Sequence, residues 1–165
     1  FSDVEGDHLL DTQELEGLYP KAAFLDNREV VLFGEKGFVL YQADSKKIET
    51  QENFESEINS VFCTNQKLGF IFKNEDDNGK YRMEIYNKAG KKSSTYYFDL
   101  DYSGMTADDD EVILYNDGEM LIYQMGGRVR FRGTFNTAVT GVMPSWEDGL
   151  YWLIDDQSLR EIRIR

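Results

Sequence analysis

The 165-residue sequence holds one cysteine and one histidine, and each scarcity removes a class of chemistry. Cys63 alone can form no internal disulfide and cannot build a zinc site on thiolates. Its place in the apolar run Val61-Phe62-Cys63 suits a small buried hydrophobe, and it does not fix the compartment. Any Ser-His-Asp or Cys-His arrangement would have to use His8, and no G-x-S-x-G turn accompanies a serine, so hydrolysis built on histidine has nothing to stand on. Neither G-x-G-x-x-G nor G-x-x-x-x-G-K-[ST] occurs, so nucleotide phosphates have no cradle. Positive charge is also scarce: 18 Lys and Arg face 31 Asp and Glu, a formal charge of −13 that repels polyphosphate backbones and keeps the chain soluble. Nucleic acid is therefore not an expected partner. No apolar run reaches the length of a membrane span and no charged-then-apolar leader is present, so these residues neither insert into nor target a membrane. The chain opens at Phe1, as a mature or excised piece would.

What is present is repetition. Apolar residues make up 41% and aromatics 14%, enough for a packed interior in a chain of single-domain size. The stretch Val112–Phe135, two apolar runs joined at Asn116-Asp117-Gly118 and a third after Gly126-Gly127, has counterparts in Val30–Phe54, Gly69–Phe98 and Leu150–Arg165. In each unit an apolar residue lies four after an apolar strand end: Leu15 to Tyr19, Phe54 to Ile58, Phe98 to Tyr102, Phe135 to Val139. The markers Tyr19, Ile58, Tyr102 and Val139 are 39, 44 and 37 residues apart, which brackets the four-strand blade of a β-propeller. Polar turns at Asp26-Asn27-Arg28, Asn65-Gln66-Lys67, Asp108-Asp109-Asp110 and Glu147-Asp148-Gly149 precede the most apolar strand of each unit. Central strands that are apolar on both faces indicate sheets covered on both sides, as when blades stack around an axis.

The expected fold class is therefore all-β, a β-propeller of four blade-like four-stranded repeats, either a closed small ring or half of a larger one. The blades span 19–57, 58–101, 102–138 and 139–165. Residues 1–18 supply a last strand, over His8–Leu15, that completes another blade, while the fourth blade lacks its own last strand. A second copy or further blades would complete the larger ring. In Arg128-Val129-Arg130-Phe131-Arg132, alternation puts the arginines on one face of an outer strand, as a charged edge that resists pairing.

The run Gly149-Leu150-Tyr151-Trp152-Leu153-Ile154-Asp155, followed by Leu159-Arg160-Glu161-Ile162, resembles the Tyr-Trp-Thr-Asp type of propeller repeat, with Leu153-Ile154 where that motif has threonine. The general pattern is also similar to quinoprotein-like and WD40-like repeats. The tryptophan docking motif of the former and the Gly-His and Trp-Asp pairs of the latter are absent, so the likeness implies no cofactor. The whole chain resembles propeller-like domains of bacterial, often membrane-anchored, surface proteins. That resemblance implies a place at the cell surface or outside the cell, and a role in recognition.

Candidate sites are few. Asp99-Leu100-Asp101-Tyr102-Ser103-Gly104, with Asp110 twelve positions from its start, has the alternating spacing of a calcium loop. Tyr102 and Gly104 align with Val139 and Gly141 of the next repeat, which leaves Asp99, Asp101 and Asp110 as the calcium candidates. Asn74 to Gly79 begins like a second such loop but has Ile85 at position twelve, so a long hairpin turn is expected there. Tyr96-Tyr97, Trp146 and Trp152 are candidates to stack on sugars, Trp146 being the best placed in its Pro144–Gly149 turn. The function expected is a non-catalytic binding module whose end loops recognise a protein or a glycan. The alternative is a carbohydrate-active enzyme using paired carboxylates in the propeller funnel.

Overall fold

The computed structural model describes residues 12–164. They form an all-β propeller of four antiparallel sheets, three of four strands and one of three. The first blade comprises β1 (Lys21–Phe24), β2 (Glu29–Phe33), β3 (Gly37–Gln42) and β4 (Lys47–Asn53). The second comprises β5 (Ile58–Cys63), β6 (Lys67–Lys73), β7 (Tyr81–Asn87) and β8 (Lys92–Phe98). The third holds β9 (Gly104–Ala107), β10 (Glu111–Tyr115), β11 (Glu119–Gln124) and β12 (Arg128–Thr134), and the fourth β13 (Val139–Pro144), β14 (Leu150–Asp155) and β15 (Leu159–Arg163). Within each sheet the strands follow chain order, each paired with the next. The first strands lie innermost, β9 approaching both β5 and β13. No strand pairing among the described residues joins one sheet to another, so the fourth sheet stays three-stranded with β15 at its edge.

Alternation along each central strand feeds two cores at once. In β6, Leu68, Phe70 and Phe72 pack against Val31, Phe33, Phe38 and Leu40 of the first blade, while Ile71 packs toward the third. In β10, Val112 and Leu114 join Ile71, Met83 and Ile85, while Ile113 joins Val142, Tyr151 and Leu153 of the fourth blade. The first of these cores is aromatic. Phe70 stacks on Phe38 with ring centroids 4.9 Å apart and meets Phe54 at 5.1 Å and Tyr86 at 5.4 Å.

The spacing of four seen in the sequence has a backbone cause. Phe54 and Ile58 donate their N–H groups to Lys36 O (2.6 Å) and Glu35 O (2.9 Å), in the turn between β2 and β3. Phe135 and Val139 do the same to Gly118 O (2.8 Å) and Asp117 O (3.1 Å) in the third blade. The loop leaving each of these two blades is therefore pinned to that blade's own middle turn, satisfying carbonyls that water would otherwise take.

Of the strand expected over His8–Leu15, residues 8–11 lie outside the described residues and 12–15 carry no strand. The described part contacts the first blade: Gln13 Nε2 donates to Lys46 O at 3.3 Å, and Gln51 Nε2 donates to Tyr19 Oη at 3.2 Å at the other end of that sheet.

Because Phe70 is fully buried among four other rings, Phe70→Ala should cost about 3–5 kcal/mol. Urea unfolding should show a lower midpoint with an unchanged slope if the two adjoining blades unfold as one unit.

Candidate functional site

The outer strands of the first three blades, β4, β8 and β12, each carry one residue too many for the partner strand. The ladder slips between Leu40 and Tyr41, between Ile85 and Tyr86, and between Ile122 and Tyr123, leaving Glu49, Ser93 and Arg130 as the extra residues. Such bulges bend the strand and re-aim the side chain they release. This overturns the simple alternation expected of Arg128-Val129-Arg130-Phe131-Arg132. Val129 turns outward and is exposed, whereas the Arg130 side chain, only 20% exposed, turns toward the fourth blade. The signal was in the sequence as Leu40-Tyr41-Gln42, Ile85-Tyr86-Asn87 and Ile122-Tyr123-Gln124, one copy at each slip.

Arg130 meets Glu111 there. The start of β10 is set by an Asx turn in which Asp108 Oδ1 accepts from the N–H groups of Asp110 and Glu111, both at 2.8 Å. Asp26 makes the same turn with Arg28 (2.7 Å) and Glu29 (3.0 Å), so the recurring Asp-x-x-Glu marks the first strand turn of both blades. Glu111 is 5% exposed, and its Oε2 accepts from Tyr151 Oη at 2.9 Å and from Arg130 Nη1 at 3.3 Å. Burial raises the Glu111 pKa, opposed by the Tyr151 hydrogen bond and by Arg130. Burial also raises the Tyr151 phenol, helped by Glu111. Arg130 reaches Asp148 at 2.6 Å as well, and the guanidinium holds that carboxyl below its ordinary value.

Above this network lies a cavity of about 440 Å³ between the third and fourth blades, lined by Asp108, Asp110, Glu111, Glu147 and Asp148 and by Trp146. Trp146 is 88% exposed, with its ring centroid 6.5 Å from that of the part-buried Trp152. Of the other aromatic candidates, Tyr96 is buried against Tyr123 and Tyr97 is exposed. A second cavity, about 560 Å³, opens at the other end of the molecule beside Tyr19, Gly34 and Asn59.

The calcium candidates are not brought together. Asp99 and Asp101 lie before β9, where Asp99 Oδ1 accepts from Lys80 N (3.1 Å) and Asp101 pairs with Lys80 Nζ (2.5 Å). Asp110 lies beyond the other end of β9, in the turn into β10. Gly104 lets the Tyr115 ring lie against the backbone, since a Cβ there would come within 2.3 Å of the far end of that ring and displace it. No group of three or more metal-ligating side chains occurs among the described residues. Cys63 is half-buried, with Sγ 3.6 Å from Thr64 O, and burial pushes its thiol pKa up. His8 lies outside the described residues.

Residues 2–164 match the profile described as "Family of unknown function (DUF5711)". The chain belongs to that family. No curated protein matches the DUF5711 chain. Among solved structures it is similar to the computationally designed Ika4 protein, with a TM-score of 0.60 and 11% identity over 97% of this chain and 99% of that one. It is also similar to BBS1N, solved in complex with ARL6DN, with a TM-score of 0.61 and 13% identity over 99% of this chain and 57% of that one. For the β-propeller BamB from Moraxella catarrhalis the TM-score is 0.50 and the identity 14%, over 80% of this chain and 38% of that one. The DUF5711 chain thus spans nearly all of Ika4 but little more than half of BBS1N. At these identities the likeness establishes the propeller fold and leaves the chemistry to the site.

Arg130→Met strands the Glu111 carboxylate and should cost about 3 kcal/mol, whereas Asp148→Asn, at a side chain 88% exposed, should cost under about 1 kcal/mol. A pKa raised by folding means that Glu111 stabilises below the ordinary glutamate range and loses that contribution as pH rises through its elevated native value. Relative to wild type, Glu111→Gln should therefore gain stability across that interval, as read from melting temperatures in a pH series.

Proposed function

We propose that this chain is a non-catalytic interaction module that recognises a protein or a glycan through the loops at one end of the propeller. The observation that carries the reading is where large apolar side chains are left in water. Phe24 (75% exposed), Val129, Met143 and Trp146 come from three blades and lie at the end formed by the turns between first and second and between third and fourth strands; Leu18 and Leu159 are exposed at the opposite end, but the two most exposed aromatic rings, Phe24 and Trp146, are both at this one. Apolar groups kept exposed at one end of a fold are a common mark of an interaction surface. BBS1N, one of the similar structures, was solved bound to a protein. A place at the cell surface belongs to the same reading, on the strength of the resemblance to bacterial surface domains. So does a larger ring completed by a second copy or by further blades, supported by the three-stranded fourth sheet and the half-length match to BBS1N.

One observation favours a carbohydrate-active enzyme instead. Glu111, its pKa raised by burial, shares a cavity with further carboxylates under an exposed tryptophan, as a general acid beside a sugar would. Against this, its Oε2 is already engaged by both Tyr151 and Arg130.

Panning a displayed peptide library and a glycan array, with reducing-sugar release measured in parallel, separates the two. Saturable binding without turnover is the expected result. Sugar release that disappears in Glu111→Gln would replace the module by the enzyme.

A further inference from the structure

We propose that the corner between the third and fourth blades docks a basic protein segment, with a lysine or arginine side chain laid over Trp146 and its charge met by the carboxylates of the cavity beneath. This names the partner class of the binding role given above and rests on it.

The surface is apolar first. Trp146 stands on the turn from β13 to β14 with Trp152 behind it, their rings tilted by 53°, and the exposed Met143 precedes it by three residues. An indole held in this way presents a broad face to solvent, and the face of tryptophan is the strongest aromatic platform for a cation. Charge then decides the occupant. Five carboxylates line the adjoining cavity, and no lysine or arginine is among its lining residues. Arg130 satisfies Asp148 and Glu111, and Arg163 reaches Glu147 Oε1 at 2.6 Å, but the Asp110 carboxylate has no hydrogen bond or ion pair among the described residues. With five carboxylates set against these two arginines, an acidic segment brought to this corner would meet net like charge. A basic one would find complementary charge at the rim and an apolar ring to cover. The opposite end lacks this pairing: its most exposed apolar residues, Leu18 and Leu159, are aliphatic and offer no π face, and its Tyr97 is far less open than Trp146, 39% against 88%.

Fluorescence anisotropy on the whole chain tests this, using a labelled peptide of alternating lysine and leucine and its glutamate-for-lysine twin as probes. The lysine peptide should bind saturably and more weakly as salt rises, and the glutamate twin should not bind. Trp146→Ala, a change at an exposed position that leaves the fold alone, should weaken binding by about tenfold or more. Asp110→Asn with Glu147→Gln should weaken it several-fold and flatten the salt dependence. Glu55→Gln with Glu57→Gln, which removes the same charge from the other end of the molecule, should leave it within about twofold.

Equal weakening by the two charge-removing pairs would reduce the effect to the chain's overall charge and overturn the corner site, as would binding indifferent to Trp146→Ala. Tetramethylammonium binding without peptide binding would reassign the corner to a small cation. Peptide binding abolished only by changes at the opposite end would overturn the corner while leaving the module reading intact. No binding in either this assay or the library selection would remove both.

Discussion

The fold depends on sheets that are apolar on both faces and covered on both. A strand such as β6 or β10 has no solvent side, so its alternate residues belong to different cores, and neither core exists until the neighbouring blade is in place. No blade is therefore a stable unit alone, and the chain gains stability from blade–blade interfaces more than from any single sheet. The aromatic weight falls between the first and second blades, while the interface of the third and fourth adds a buried acid with its tyrosine and arginine.

The other constraint is on the connections. A loop that wandered off a blade would leave carbonyls of the middle turn unpaired, and the pinning of Phe54, Ile58, Phe135 and Val139 to those turns removes the freedom. In the second blade the middle turn is longer, and side chains take over: Asp99 accepts from the Lys80 backbone, and Asp101 pairs with the Lys80 ammonium. The same acids that resemble a metal loop in sequence thus close a hairpin in space.

This contrast shows how far the sequence could be read. The four units, their polar turns and their doubly apolar central strands were legible, because burial on both faces forces a composition that cannot be confused with a half-solvated strand. The marker pairs such as Phe54 and Ile58 were legible as a spacing, though not as hydrogen bonds. What could not be read was anything that depends on a ladder slipping. Arg130 looked like one of three equivalent arginines because strict alternation makes it so, and a single extra residue sends it to Glu111 and Tyr151 of different strands. Nor could the closeness of Asp99, Asp101 and Asp110 along the chain reveal that a whole strand, β9, holds Asp110 away from the other two. Trp146 could be picked out because a tryptophan in a polar turn between Pro144 and Gly149 has no apolar sequence neighbour to hide against, although the ring it does meet, Trp152, could not be foreseen.

The slipped position has a consequence for how such a chain can change over time. Glu49, Ser93 and Arg130 occupy corresponding places in three copies of one unit, yet they are an acid, a hydroxyl and a guanidinium. A residue released from ladder pairing can be exchanged without breaking a rung, so the expense depends on what its side chain has come to hold: little at the exposed Glu49, and much at Arg130, which meets the buried Glu111. Three copies thereby share one address where the side chain is chosen by its neighbours rather than by the ladder, which is how one fold position comes to hold an acid, a hydroxyl and a guanidinium.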